Sequence, residues 1–262
     1  MSFPSVIYGD FGDEKLAQSV KIGGLPLGQL MILPDGSKFR QARAPSGTAI
    51  VAGSLYQVAA RNSDTMLYKS LIPAATYAVG ATSVAFTTGG TASITTNQFE
   101  DGWVMIAGSA GSGSPKGEKY RIKSNNSAAS GSTTCTLTLY PEDALKTAIA
   151  AGTIRIGVVA NDYQSPVVTT ADTVLDMIVG VAPIAASAGF YYWSQRGGDA
   201  LMATGGTVLV AGEAVLVGTA EAGIGKTSAG AGTASFKALY NIGTTLTVSV
   251  TNGFSLVNLE LE

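Results

Sequence analysis

Alternation of apolar and polar positions dominates the chain from residue 75 onward. Ser83-Val84-Ala85-Phe86-Thr87 and Tyr120-Arg121-Ile122-Lys123 both alternate. The clearest case is Thr134 to Tyr140, which places Cys135, Leu137 and Leu139 on one face and threonines on the other. A period of two marks a strand with one buried face, so Cys135 is expected as a small core residue rather than a reactive thiol. Trp103-Val104-Met105-Ile106 reads as a short apolar strand after Asp101-Gly102, and Ile154-Arg155-Ile156 as another. Ala107 to Gly117, nearly all Gly, Ser and Ala, reads as a loop. One stretch points to a helix. Over residues 48–70, Ile50, Val51, Leu55, Val58, Met66 and Leu67 recur at spacings near three and four, against which Gly53 costs about 1 kcal/mol relative to Ala. Pro141-Glu142-Asp143-Ala144-Leu145-Lys146 starts a short helix, with proline and acids in the first turn.

The last hundred residues are short strands separated by glycine. Ala188-Gly189-Phe190-Tyr191-Tyr192-Trp193 is a dense aromatic strand, and Thr207 to Val210 and Ala214 to Val217 flank Ala211-Gly212-Glu213. Leu246, Val248 and Val250 alternate with Thr245, Thr247 and Ser249, and Asn252-Gly253 supplies a two-residue hairpin turn. The returning strand places Val257, Leu259 and Leu261 on one face. The phase slips at Leu256-Val257, which predicts a bulge.

These elements predict a mainly β fold, with short-strand barrel or sandwich domains, an extended N-terminal arm and one or two short helices. The arm covers residues 1–45, where Pro26, Pro34 and Pro45 bias their neighbours away from helix and core-grade runs are few. A β-rich domain with the helical segment follows over 46–160. A barrel or sandwich domain follows over 161–262, after the connection around Asn161-Asp162 and Pro166. Val174 to Trp193 is the most membrane-like stretch, but Asp176 and Pro183 break it, and buried strands explain it better than a spanning helix. The first residues, Met1 to Val6, carry no positive region and lead into Asp10, Asp13 and Glu14, unlike a secretory signal. A soluble chain made inside the cell is the expectation.

Composition narrows the function. The 262 residues carry 16 basic and 18 acidic side chains and only 13% charged residues in all, about half the share of ordinary soluble domains. No basic run offers a footprint for a phosphate backbone. With no histidine the chain has no Ser-His-Asp or Cys-His site and no imidazole metal ligand, and its one cysteine forms no internal disulfide. Gly223-Ile224-Gly225-Lys226-Thr227-Ser228 resembles the end of a phosphate-binding loop. That motif needs a glycine where Ala220 stands, and Ala229-Gly230-Ala231-Gly232 is poor material for the helix that must follow. Asp10, Asp13 and Glu14 lack the alternating oxygens of a calcium loop. Glu100/Asp101 and Glu142/Asp143 are adjacent pairs that would diverge on a strand, and nothing selects either for glycosidic chemistry. The aromatics of 190–193, followed by Gln195-Arg196, serve a core, a subunit interface or, least simply, a stacked base or sugar. No catalytic, cofactor-binding or metal constellation emerges, and no enzymatic activity is expected.

A resemblance then enters. Tyr8 to Lys15, Leu25-Pro26-Leu27-Gly28, Pro34 to Arg40, Asn97 to Gly102, Lys119 to Ser124, Leu137 to Tyr140, Gly180 to Pro183 and Ala188 to Gln195 follow one another in an order that resembles a family of tailed-bacteriophage virion structural proteins, the head decoration or cement proteins. Where that family has Gly-Trp-Val-Gln after a tyrosine, this chain has Trp193-Ser194-Gln195 after Tyr192, and it lacks the histidine the family tends to carry near residues 45–60. The resemblance implies a non-enzymatic protein made in the host cytoplasm that binds the outer surface of the phage head and stabilises the shell. Its partners would be the major capsid protein and itself, as a homo-oligomer and most simply a trimer, with neither nucleic acid nor membrane. Low charge suits dry, salt-resistant interfaces. The expected capsid or subunit contacts are Phe11, Asp35, Phe39, Arg40, Arg43, Tyr191, Trp193 and Arg196, with Arg40 and Arg43 as bidentate anchors for carboxylates. A major coat, tail or fibre protein is the nearest alternative. A glycan-binding or glycan-cleaving virion protein using residues 190–196 is a more distant one.

Overall fold

A computed structural model describes residues 5–59, 67–88, 93–106, 117–131, 133–152, 154–169, 177–204, 210–212, 214–217, 225–227, 241–248 and 253–262. The chain is mainly β and forms two units, Met1–Ala59 with Ser165–Glu262, and Ala60–Gln164. The first unit opens with β1 (Val6–Tyr8), β2 (Ala17–Gln18), β3 (Leu30–Ile32), β4 (Lys38–Arg43) and β5 (Leu55–Gln57). The second holds β6 (Leu67–Leu71), β7 (Ser83–Thr87), β8 (Trp103–Ile106), β9 (Lys119–Asn125), β10 (Thr134–Leu139) and β11 (Ile156–Val159). The chain then returns to the first unit with β12 (Val167–Val168), β13 (Ile178–Val181), β14 (Tyr191–Ala203), β15 (Ala214–Val217), β16 (Gly225–Thr227), β17 (Asn241–Thr245) and β18 (Phe254–Glu260).

Twelve strands of the first unit form one sheet whose main path runs β1-β3-β4-β14-β18-β17-β15-β16. β14 organises it. Tyr191 to Gly197 pairs antiparallel with β4, and Gly197 to Ala203 pairs antiparallel with β18. β2 and β13 also pair with its first half, and β5 links β13 to β12. Its first seven residues are all buried, whereas its second half alternates. Leu55, Val181, Met202, Val215, Val257 and Leu259 form the core beneath that second half, with Leu261 packed against it.

The leader is part of this sheet, which corrects the expectation of a separate arm over 1–45. β4 lies against β14, β3 against β4, and Met31, Leu33 and Phe39 are buried. Few core-grade runs were needed because these short strands inherit their cover from the rest of the sheet. The helix expected over 48–70 is likewise replaced by strands at Leu55–Gln57 and Leu67–Leu71, with residues 60–66 outside the described set. Leu55, Tyr56 and Gln57 are buried on both faces, so alternation vanishes and the apolar spacing mimics a helical period. Gly53 takes a φ of +73°, and its backbone carbonyl accepts a hydrogen bond from Ala203 N–H at 2.9 Å. Among the described residues the helical elements are single 3₁₀ turns at Asp13–Lys15, Ile22–Gly24 and Pro141–Asp143. No helix there is long and apolar enough to cross a membrane.

The second unit is a six-stranded sheet in the order β6-β11-β8-β9-β10-β7. Its alternation is the one read from the sequence. Val84 and Phe86, Val104 and Ile106, Tyr120 and Ile122, and Cys135, Leu137 and Leu139 are buried. Burial alone pushes the Cys135 thiol up to about 12, as expected of an inert core residue.

Two substitutions test this architecture. At Gly180 (φ +140°) an added Cβ would strike the Gln195 carbonyl and come within 2.6 Å of Ser194 Oγ, where β13 meets β14. Gly180→Ala should therefore lower the unfolding free energy of the first unit by about 1–3 kcal/mol. Met202→Ala, which empties the core under β14, should cost about 2–5 kcal/mol. Chemical denaturation followed by intrinsic fluorescence measures both, and wild-type midpoints would refute the packing described.

Candidate functional site

The side chains expected at an interface divide sharply once placed. Phe39, Tyr191, Trp193 and Arg196 are buried within the first unit, so their role there is cohesion, a correction to their reading as contact residues. The cause is β14's position, paired on both edges along its aromatic half. Trp193 stands opposite Gln41 across the β4 pairing. Burial pushes the Tyr192 hydroxyl far above the ordinary tyrosine range. A glycan or base therefore has no aromatic platform at Tyr191 to Trp193. Arg43 stacks over the Tyr191 ring at 5.2 Å and donates from Nε to the Gly189 carbonyl at 3.2 Å. Asp35 closes the Pro34-Asp35-Gly36 turn, accepting from Ser37 N–H at 2.9 Å and Ser37 Oγ at 3.0 Å.

Arg40 does hold a carboxylate, but an internal one. Its Nε donates to Glu262 Oε1, which also lies 3.0 Å from Arg196 Nε, and its Nη1 donates to the Gly28 carbonyl at 2.7 Å. Arg196 donates to the carbonyls of Ile178, Val179 (3.1 Å) and Leu261 (2.9 Å). One carboxylate thus bridges two guanidinium groups and ties β4, β14 and the residues after β18 together. The sequence left Arg40 in the expected arm and Arg196 just after an aromatic strand, and the carboxylate they share, 222 residues from Arg40, was not legible.

Of the expected contact residues, Phe11 stands out in solvent, at 68% exposure. It crowns a tight turn in which Asp13 Oδ2 accepts from Asp10 N–H at 3.0 Å and Glu14 Oε2 accepts from Gly12 N–H at 2.6 Å. Tyr8, 84% exposed, precedes it.

An apolar surface that the sequence reading missed lies on the outer face of the β14–β18 region. Leu201 stands directly opposite Leu256, and Leu246 N–H donates to the Leu256 carbonyl at 2.9 Å, so three leucines run side by side across neighbouring chain segments. Leu201 is 57% and Leu246 44% exposed, with Phe254 beside them at 52%. The Phe254 ring lies over Gly53, where a Cβ would come within 2.6 Å of its Cε1 atom. Asp199 and Asn258 border the ladder and are joined by a 2.8 Å hydrogen bond. The pairing of β14 with β18 runs in unbroken register from Gly197 to Ala203. The phase slip at Leu256-Val257 is therefore no bulge: Val257 faces the core and Leu256 faces outward. That slip was the sequence signal of the surface.

In the second unit, Asp101 (φ +56°) is buried and its Oδ1 accepts from the Tyr140 hydroxyl at 2.6 Å, while Asn161 Nδ2 donates to its carbonyl at 3.0 Å. Burial, then this bond, raises Tyr140 well above the ordinary tyrosine range. Glu118 accepts from Thr147 Oγ1 at 2.6 Å and from the Tyr120 hydroxyl, and these two bonds hold its carboxyl below the usual carboxylate range. Each acid is thus absorbed by local structure. On the outer face, Lys119 Nζ sits 4.4 Å and the Arg121 guanidinium 5.3 Å from the Trp103 ring. No cluster of three metal-ligating acids or thiols occurs among the described residues. Of the glycine-rich hexapeptide, Gly225–Thr227 forms β16, antiparallel to β15, and its other three residues lie outside the described ones. No known family matches the chain, and neither curated proteins nor solved structures give a match.

Two measurements probe these groups. Glu262→Gln leaves Arg40 and Arg196 without their shared anion and should destabilise the first unit by about 1.5–3 kcal/mol, read by urea titration; an unchanged midpoint would remove the bridge from the account. The lowered pKa of Glu118 means that its ionised form stabilises the fold. Its contribution is complete above the unfolded value, about 4.3, and disappears as pH falls through the lower folded value. Glu118→Gln should flatten the acid limb of the stability curve, and an identical limb in the variant would contradict the assignment.

Proposed function

We propose that this chain is a capsid decoration, or cement, protein that binds the outer surface of a tailed-phage head and assembles with copies of itself to stabilise the shell. The observation that carries this reading is the exposed ladder of Leu201, Leu256 and Leu246 with Phe254 beside it. Contiguous exposed apolar surface rimmed by polar groups marks interaction sites on soluble proteins. A sheet face of fixed register presents it rigidly, so little ordering entropy opposes docking. A charge share of 13% leaves few ions to desolvate on association. The order of motifs that resembles cement proteins supplies the viral setting. In this reading the strand-rich, barrel-like body forms the homo-oligomer, most simply a trimer on a local threefold of the coat. The exposed turn around Phe11, rather than all of residues 1–45, is the part that reaches outward.

The test is electron microscopy of phage particles with and without the protein, together with binding of purified protein to undecorated heads. Wild-type chain should add density on the shell. Leu201→Lys with Phe254→Lys, both at exposed positions, should keep the wild-type unfolding midpoint and lower head binding at least about tenfold, the equivalent of about 1.4 kcal/mol. No added density, or undiminished binding by the double variant, would overturn the proposal.

A further inference from the structure

The outer face of the second sheet carries an ordered basic surface that no fold requirement explains. Strand periodicity sends Lys119, Arg121 and Lys123 of β9 to one side while Tyr120 and Ile122 go to the core. Successive outward residues stand about 7 Å apart. β8 pairs Trp103 with Arg121 and Met105 with Lys119, which sets an apolar floor beside the charges. The Trp103 ring holds both Lys119 and Arg121 by cation–π contact, so the cations are positioned in advance rather than waving freely. Two nearby carboxylates are held in place by hydrogen bonds. Asp143 Oδ2 accepts from the Arg121 backbone N–H, and Glu118 is held by Thr147 and Tyr120.

The first unit presents the complement. Asp10, Asp13 and Glu14 flank the exposed Phe11 in sequence on a turn closed by its own hydrogen bonds, with Lys15 Nζ 3.7 Å from Glu14 and Tyr8 just before the turn. A preformed turn that sets one exposed aromatic ring among three carboxylates and a single lysine complements, in sign and in kind, a row of three cations beside Trp103 and Met105.

We propose that the Asp10–Glu14 turn of one copy docks on the Trp103/Lys119/Arg121/Lys123 face of a second copy. Phe11 seats against Trp103 and Met105, where a thioether and an indole favour an aromatic ring. The carboxylates meet the basic row and gain strength as water leaves. The two patches differ, so the contact is heterologous and builds a ring if the rotation closes. This deepens the assembly reading by naming a contact between neighbours, and it requires no capsid.

The experiment uses the purified full chain and no phage particle, so its outcome is separate from that of head binding. Sedimentation velocity is recorded from about 1 to 100 µM protein, where contacts of moderate affinity are populated, at about 0.05 and about 0.5 M NaCl. Wild type should associate with rising concentration, and at least about tenfold more weakly at the higher salt. Lys119→Glu with Lys123→Glu, and separately Asp10→Lys with Phe11→Lys, should each be monomeric. Both pairs change exposed positions and spare the carboxylates that close the turn, and unchanged thermal unfolding would show that the fold survives. An equimolar mixture of the two variants, which restores one native contact and creates one inverted contact, should associate again. A monomeric wild type, variants that associate as wild type does, or a mixture that stays monomeric would each overturn the proposal. Docking of the turn within its own chain would appear as a concentration-independent monomer and would overturn it too.

Discussion

The first unit depends on β14 being paired along both edges. Tyr191 to Gly197 meets β4, Gly197 to Ala203 meets β18, and the strand thereby joins the leader to the far end of the chain. Burying such a strand removes its backbone groups from water, so each must find a partner in the ladder. The leader supplies partners for the aromatic half, which is why residues near the start lie in the sheet. Removing residues 1–45 would strip β4 from β14 and uncover Tyr191 and Trp193 together. The Arg40–Glu262–Arg196 bridge closes the same arrangement at its rim, where partial exposure lets one carboxylate serve two guanidinium groups at modest desolvation cost.

That organisation also creates the surface. Once β18 pairs in register with β14, every second residue of both strands faces away from the core, and the leucines at those positions line up whether or not anything covers them. Leu201, Leu256 and Leu246 are adjacent because of the pairing. The second sheet repeats the principle with different chemistry: the same alternation that buries Tyr120 and Ile122 sets Lys119, Arg121 and Lys123 in a row beside Trp103. Both surfaces are by-products of strand periodicity kept by the side chains placed on them.

Strands with one buried face were legible. Thr134 to Leu139 shows its two faces in the sequence, and the structure buries Cys135, Leu137 and Leu139 as read. Segments buried on both sides were not, because full cover erases alternation; Leu55 to Gln57 therefore passed for part of a helix. Pairing partners distant in the chain were also hidden. Phe39 and Arg196 looked like contact residues while isolated, and became interior ones when β4 met β14. The outer ladder left one trace, the slip at Leu256-Val257, which a bulge explained equally well until the register of β18 was known.

The amino-acid order by itself determined a mainly β chain, the inert burial of Cys135, the poor fit of the glycine-rich hexapeptide to nucleotide binding, and the turn chemistry of residues 34–36. These follow from local periodicity and from which residue types are present. Tertiary structure alone decided that the leader belongs to the sheet, that the aromatics of β14 are interior, that Glu262 bridges two arginines, and which leucines face outward. Such outcomes hang on long-range pairing, in which a residue's environment is set by a neighbour far away in the chain.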